Sequence, residues 1–113
     1  MQSMSDVPYL GEFEHLLLLA ILQCGDHAYT LPIRTVLSER SRRRVARGAL
    51  YTSLDRLEAK GLVTSRMGEP LAIRGGRARR YFTVTPEGLT ALRAARAAVA
   101  DLSRGIESFL EQK

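Results

Sequence analysis

The spacing of hydrophobic positions changes repeatedly along the chain, and each change predicts an element. From about Glu12 to Cys24 the apolar residues are nearly unbroken: Phe13, Leu16 to Leu19, Ala20, Ile21 and Leu22. This pattern suits a helix buried around most of its circumference and closed by Gly25. After a short loop, Gly25 to Tyr29, a second helix is expected from Tyr29 or Thr30, with Leu31, Val36 and Leu37 facing inward. Pro32 is compatible with it only in the first turn, where backbone N–H groups lack intrahelical acceptors. The run Ser38 to Arg44 is polar and basic. Apolar spacing resumes at Leu50, Leu54 and Leu57, an i, i+4, i+7 stripe that predicts a third helix from Arg47, ended by Gly61.

Leu62 to Arg66 and Arg79 to Val84 are short and β-compatible, and Gly68, Pro70, Gly75 and Gly76 lie between them. They predict a hairpin with a long irregular tip. Thr85-Pro86-Glu87 then supplies a capping hydroxyl, a first-turn proline and a carboxylate near the positive helix end. One long helix is expected from there, with Leu92, Ala95, Val99, Leu102, Ile106 and Phe109 spaced 3, 4, 3, 4, 3. Such a narrow seam suits pairing with a second copy of the helix; folding back onto its own domain is the alternative. Leu92, Val99, Leu102, Ile106 and Phe109 are therefore the expected dimer interface. The chain divides into a flexible arm (1–9), a helix-and-hairpin domain (10–85) and a C-terminal dimerisation helix (86–113).

Helix, helix, helix, hairpin, helix is the order of a winged helix-turn-helix. The expected class is mainly α (α+β), with a two-stranded wing and a long C-terminal helix. A length of 113 residues with 45% apolar and 26% charged positions fits one folded domain. Cys24 is the one cysteine, which excludes an internal disulfide or a thiolate zinc site and favours a reducing, cytoplasmic setting. The longest apolar run, Leu16 to Leu22, is too short for a membrane span. The first fifteen residues lack the basic start of a secretory signal, so neither membrane insertion nor export is expected.

Charge sharpens this picture because it is localised. Residues 1–33 carry four acids and no Lys or Arg, residues 34–80 thirteen bases and four acids, and residues 81–113 four of each, giving −4, +9 and 0. A concentrated basic surface is what a polyanion needs, whereas mixed charge mainly confers solubility. If Leu50, Leu54 and Leu57 face inward, then Gly48, Thr52, Asp55, Arg56 and Ala59 face outward, with Tyr51 at the border. Arg56 can donate twice to a guanine edge, and Thr52 can bond a base or touch a thymine methyl. Arg47 and Gly48 sit at the helix start, where backbone amides favour anions, and Tyr51 can bond a phosphate through its hydroxyl. Arg42, Arg43 and Arg44 precede this helix, and Arg74, Arg77, Arg79 and Arg80 surround the hairpin glycines, so both groups suit the backbone of double-stranded DNA. Asp55 is assigned no role, since a carboxylate is repelled by phosphates unless it accepts from cytosine or pairs with an arginine.

Residues 11–92 resemble PadR-type regulators, in particular the compact form with one C-terminal helix. The resemblance rests on the apolar first helix, His27-Ala28-Tyr29, Gly48-Ala49-Leu50-Tyr51 with Leu54, Arg56, Leu57 and Glu58, then Gly61-Leu62-Val63, Arg79-Arg80-Tyr81-Phe82 and Thr83 to Gly88. It implies a dimeric transcriptional repressor whose last helix is exchanged across the dimer, on a roughly two-fold operator. Two positions depart from the pattern. Ala46-Arg47 stands where a Ser-Pro pair commonly opens the third helix, which removes a cap worth about 1 kcal/mol. Ala28 replaces a usual glycine before the second helix. Some such regulators sense aromatic compounds at the dimer centre; this chain has no Trp to stack there, and its residues assign no effector.

Two rival classes compete with this reading. An enzyme would need a nucleophile with an oriented base, and Cys24, His15, His27 and Asp26 form no such set; two histidines without clustered thiols or carboxylates make no metal site. A winged helix can also act as a protein-interaction module without DNA readout, and its binding would lack the steep salt dependence of phosphate contacts.

Overall fold

The computed structural model describes residues 9–69 and 78–111. Its elements are α1 (Glu12–Cys24), a 3₁₀ turn (Gly25–His27), α2 (Thr30–Ser41), α3 (Arg47–Ala59), β1 (Val63–Met67), β2 (Arg80–Val84), α4 (Pro86–Ser103) and α5 (Glu107–Leu110). The arm expected at residues 1–9 lies outside the described residues except for Tyr9.

Helix α1 opens at Gly11, whose N–H donates to Glu14 Oε1 at 3.1 Å. Glu12 and Glu14 in its first turn complement the positive helix end. Leu17, Leu18, Ala20 and Ile21 are buried, but Leu22 is exposed and Leu16 and Leu19 are only partly covered. The helix thus keeps an open side, against the expectation of near-complete burial.

Helix α2 also corrects an expectation. Ile33 and Leu37 are its buried residues, while Leu31 is 61% exposed. Leu31 stands two residues from Ile33, about 200° around the helix, so both cannot face the core. The helix ends where Arg42 adopts a left-handed conformation, φ 61°. Ser41 Oγ and the Arg43 N–H both donate to the Leu37 carbonyl there, at 2.6 and 3.2 Å, turning the chain toward α3. Arg34 Nε donates to the Val45 carbonyl at 3.1 Å and braces that turn.

Leu50, Leu54 and Leu57 of α3 are fully buried, as their spacing requires. Strands β1 and β2 pair antiparallel from Val63 opposite Val84 to Met67 opposite Arg80. Their alternation places Val63, Phe82 and Val84 in the core, while Thr64 and Thr83 point to solvent. The outer edge of β2 is covered in part by the loop before α2, because the Phe82 N–H donates to the Ala28 carbonyl at 2.9 Å.

Helix α4 starts at the Thr85 cap, whose Oγ1 accepts from the Gly88 N–H at 3.0 Å and donates to the Gly61 carbonyl at 2.7 Å. Gly88 is required by close approach: a Cβ there would stand 2.1 Å from the Leu62 carbonyl oxygen. Gly88, Ala91 and Leu92 are buried. Leu92 was expected in the dimer seam; it is instead part of the protomer core, because α4 docks through its first two turns. A continuous helix to the terminus is also corrected. After Ser103 the chain turns at Gly105, φ 90°, a conformation that glycine adopts without penalty. Val99 and Leu102 therefore lie on α4, Ile106 caps α5 and Phe109 lies within it. Among the described residues no helix is long and apolar enough to cross a membrane.

Candidate nucleic-acid interface

The outward side of α3 is bare. Arg47, Gly48, Thr52, Asp55, Arg56 and Ala59 are all exposed, and a Cβ at Gly48 would meet nothing within 4 Å. Ala46 precedes the helix with no side-chain cap, which leaves first-turn amides free for an anion. Thr52 Oγ1 donates its proton to the Gly48 carbonyl at 3.0 Å. The hydroxyl consequently faces outward as an acceptor, beside its methyl group.

The two flanks of this face are held differently. On one side, Lys60 Nζ bonds Glu14 Oε2 of α1 at 2.7 Å. Burial alone would raise the Glu14 pKa, but the bonds from Lys60 and the Gly11 N–H, with the charges of Lys60 and Arg56, outweigh it and hold it below its ordinary value. On the other side, Tyr51 Oη accepts from Thr30 Oγ1 at 2.9 Å and keeps its own proton for another acceptor. The Tyr51 side chain lies at the border of the face, as expected.

Of the arginines expected along a DNA backbone, Arg42 and Arg44 are exposed at the turn into α3, and neither forms an ion pair among the described residues. Arg43 differs, since its guanidinium bonds Glu12 at 2.7 Å. Both partners are solvent-accessible, so the pair holds weakly and can exchange. Arg79 lies 4.3 Å over the Tyr29 ring. Arg74 and Arg77 lie outside the described residues.

Two features escaped the sequence. Arg66, on β1 opposite Tyr81, stacks 4.7 Å over the Tyr81 ring, and Tyr81 meets Tyr29 edge-on at 5.4 Å. Two guanidinium groups are thus carried on two linked aromatic rings at the base of the wing. The cross-strand register that creates this ladder is not evident from local periodicity. Arg80, grouped with the wing cations, points instead toward α3. Its NH1 bonds Asp55 at 3.1 Å, its NH2 bonds Glu58 at 2.6 Å and its Nε donates to Ser65 Oγ at 3.1 Å. Burial would lower its pKa, but the bonds and charges of Glu58 and Asp55 outweigh that and raise it, so the group is a permanent cation. Cys24 is partly buried beside the core, and burial pushes its thiol pKa up, the opposite of an activated nucleophile.

Comparison with known proteins agrees with this geometry. The chain is 43% identical over 63 residues to Transcriptional regulator Rv3488 of Mycobacterium tuberculosis, a match that covers 56% of this chain and 55% of that protein. The chain thus spans about half the length of that curated relative. The crystal structure of a PadR family transcription regulator from Clostridium difficile superposes with a TM-score of 0.70 at 28% identity, over 87% of this chain and 98% of that one. A PadR family transcriptional regulator from Eggerthella lenta gives 0.67 at 27% identity, over 90% and 88%. The model of the transcriptional regulator PadR-like family matches residues 18–94; with α3, the wing and α4 arranged as above, the chain belongs to that family of transcriptional regulators.

Proposed function

We propose that this chain is a sequence-specific double-stranded DNA-binding regulator that represses as a homodimer. The observation that carries the reading is the exposed outward face of α3, with Arg42 and Arg44 exposed at the turn that precedes it. Arg56 and Thr52 read base edges in the major groove, while Arg47, Gly48 and Tyr51 approach phosphates. Arg42, Arg44 and Arg79 follow the backbone, with Arg74, Arg77 and, by exchange from Glu12, Arg43 adding to that contact. The same chemistry makes the protein a regulator rather than an enzyme. No small-molecule effector is assigned.

The dimer rests on α4. Residues 96–102 are all exposed, so this half of α4 gains little from packing within the protomer. Val99, Leu102, Ile106 and Phe109 are exposed, Leu102 by 81%, while α1 presents the partly open Leu16, Leu19 and Leu22. A second copy laying its C-terminal segment along α1 covers both surfaces. A symmetric dimer then places two α3 helices on half-sites about 10 bp apart or a multiple of it.

Selection on random duplexes, followed by binding across a salt series, tests the reading. A two-fold motif and an affinity that falls steeply with salt, by a log–log slope of about 0.9 per neutralised phosphate, are expected. Unenriched pools, or binding indifferent to salt, would overturn it and leave the protein-interaction alternative.

A further inference from the structure

The geometry points to Asp55 as a base-reading residue, an acceptor for the exocyclic amino group of a cytosine, with Arg80 as the positioning residue that makes this possible. The inference rests on the DNA-binding reading above. Asp55 is exposed on the outward side of α3, one turn beyond Thr52 and four residues before Ala59. A carboxylate there would ordinarily be repelled by the phosphates flanking a groove. Arg80 weakens that objection, because its NH1 bonds Asp55 Oδ1 at 3.1 Å and leaves Oδ2 unengaged among the described hydrogen bonds. The aspartate side chain is 62% exposed, so its second oxygen remains accessible.

Arg80 is itself fixed from several directions. Glu58 Oε1 accepts from NH2 at 2.6 Å, and Ser65 Oγ accepts from Nε at 3.1 Å while donating to Glu58 at 3.0 Å. The guanidinium lies 4.9 Å over the Phe82 ring, which belongs to the core. Each of the three guanidinium nitrogens is therefore engaged, and these bonds hold Arg80 against α3. Its role is to join the wing to α3 and to orient one oxygen of Asp55 while offsetting part of the charge it shares with Glu58. A carboxylate accepts and never donates, and among base edges in the major groove it matches the cytosine N4 amine, which stands beside no competing acceptor on that base.

The test compares selected motifs from random duplexes for the parent protein, Asp55→Asn, Asp55→Ala and Arg80→Lys. The parent should enrich a cytosine at one position of each half-site. Asp55→Ala should relax that position about tenfold and leave the others unchanged. Asp55→Asn, which can both donate and accept, should move the preference toward adenine at the same position. Arg80→Lys keeps the charge but cannot span three acceptors, and should blur that position while the salt slope stays constant. Identical motifs for the parent and both Asp55 variants would overturn the inference. So would uniformly tighter binding of Asp55→Ala to every duplex, since that identifies a carboxylate that only repels. If the parent itself enriches no motif, the failure belongs to the DNA-binding reading; matching thermal melts of parent and variants separate either result from misfolding.

Discussion

Helices α3 and α4 carry similar apolar stripes that end up in opposite surroundings. Leu50, Leu54 and Leu57 are completely covered by their own chain, whereas Val99 and Leu102 are exposed. Both sets follow spacings of three and four residues, so the period alone does not decide where a stripe is buried. Neighbouring elements decide it. The inner side of α3 packs against α2 and β1; α4 leaves the body after Ala95, and the turn at Gly105 directs the remainder elsewhere. One stripe builds the protomer, and the other stays exposed.

The sharpest way to break this contrast is to charge the outer stripe. Val99→Glu with Leu102→Glu should weaken self-association at least a hundredfold, because unpaired charges cannot be buried in the seam. Sedimentation should give half the parent mass with the helical signal of the body retained. An unchanged dimer would place the interface elsewhere. Next in size, Leu57→Ala should lower unfolding free energy by roughly 3 kcal/mol through lost burial and a residual cavity, read as a reduced midpoint in denaturant. A cost below about 1 kcal/mol would mean that the inner stripe is not the close-packed one.

Smaller effects divide the outward side of α3 from its surroundings. Arg56→Ala should cost about 1–3 kcal/mol on the preferred duplex and change the selected motif. Arg44→Ala should weaken all duplexes alike and reduce the salt slope by about one. A common outcome for both would erase the distinction between reading and following the backbone.

The smallest effect lies at the Glu14–Lys60 link. Glu14→Gln should lower stability by about 1 kcal/mol near neutral pH, the upper end for an ion pair with a partly exposed partner. The folded-state pKa of Glu14 is depressed, so its contribution is full above the ordinary carboxylate value and disappears as pH falls through the folded one. Parent and variant should therefore converge in acid, as thermal melts across pH would register. A gap that widens on acidification would contradict the pairing.

The boundaries of α1, α3 and the start of α4 were legible because their signals are local. A buried apolar run, a 3.6-residue stripe, and a Thr-Pro-Glu start act through neighbours in sequence. The inward side of α2 was misread at Leu31, where the competing residue Ile33 had equal claim by composition and only packing against α1 chose between them. The candidate reading face could also be inferred once three leucines were assigned to the core, since the opposite side follows from helix geometry. The destination of Arg80 could not. Three adjacent cations, Arg77, Arg79 and Arg80, look alike in sequence, and strand alternation with the Met67–Arg80 register turned one of them toward Asp55 and Glu58.

By itself the sequence determined the element order, the segregation of positive charge to residues 34–80 and the family pattern, because each depends on residue type and short spacing. Tertiary structure alone decided that Leu92 belongs to the core and that Asp55 is held by an arginine 25 residues away. Those outcomes depend on which surfaces meet after the chain has folded, and no local periodicity encodes the distance between side chains brought together from separate elements.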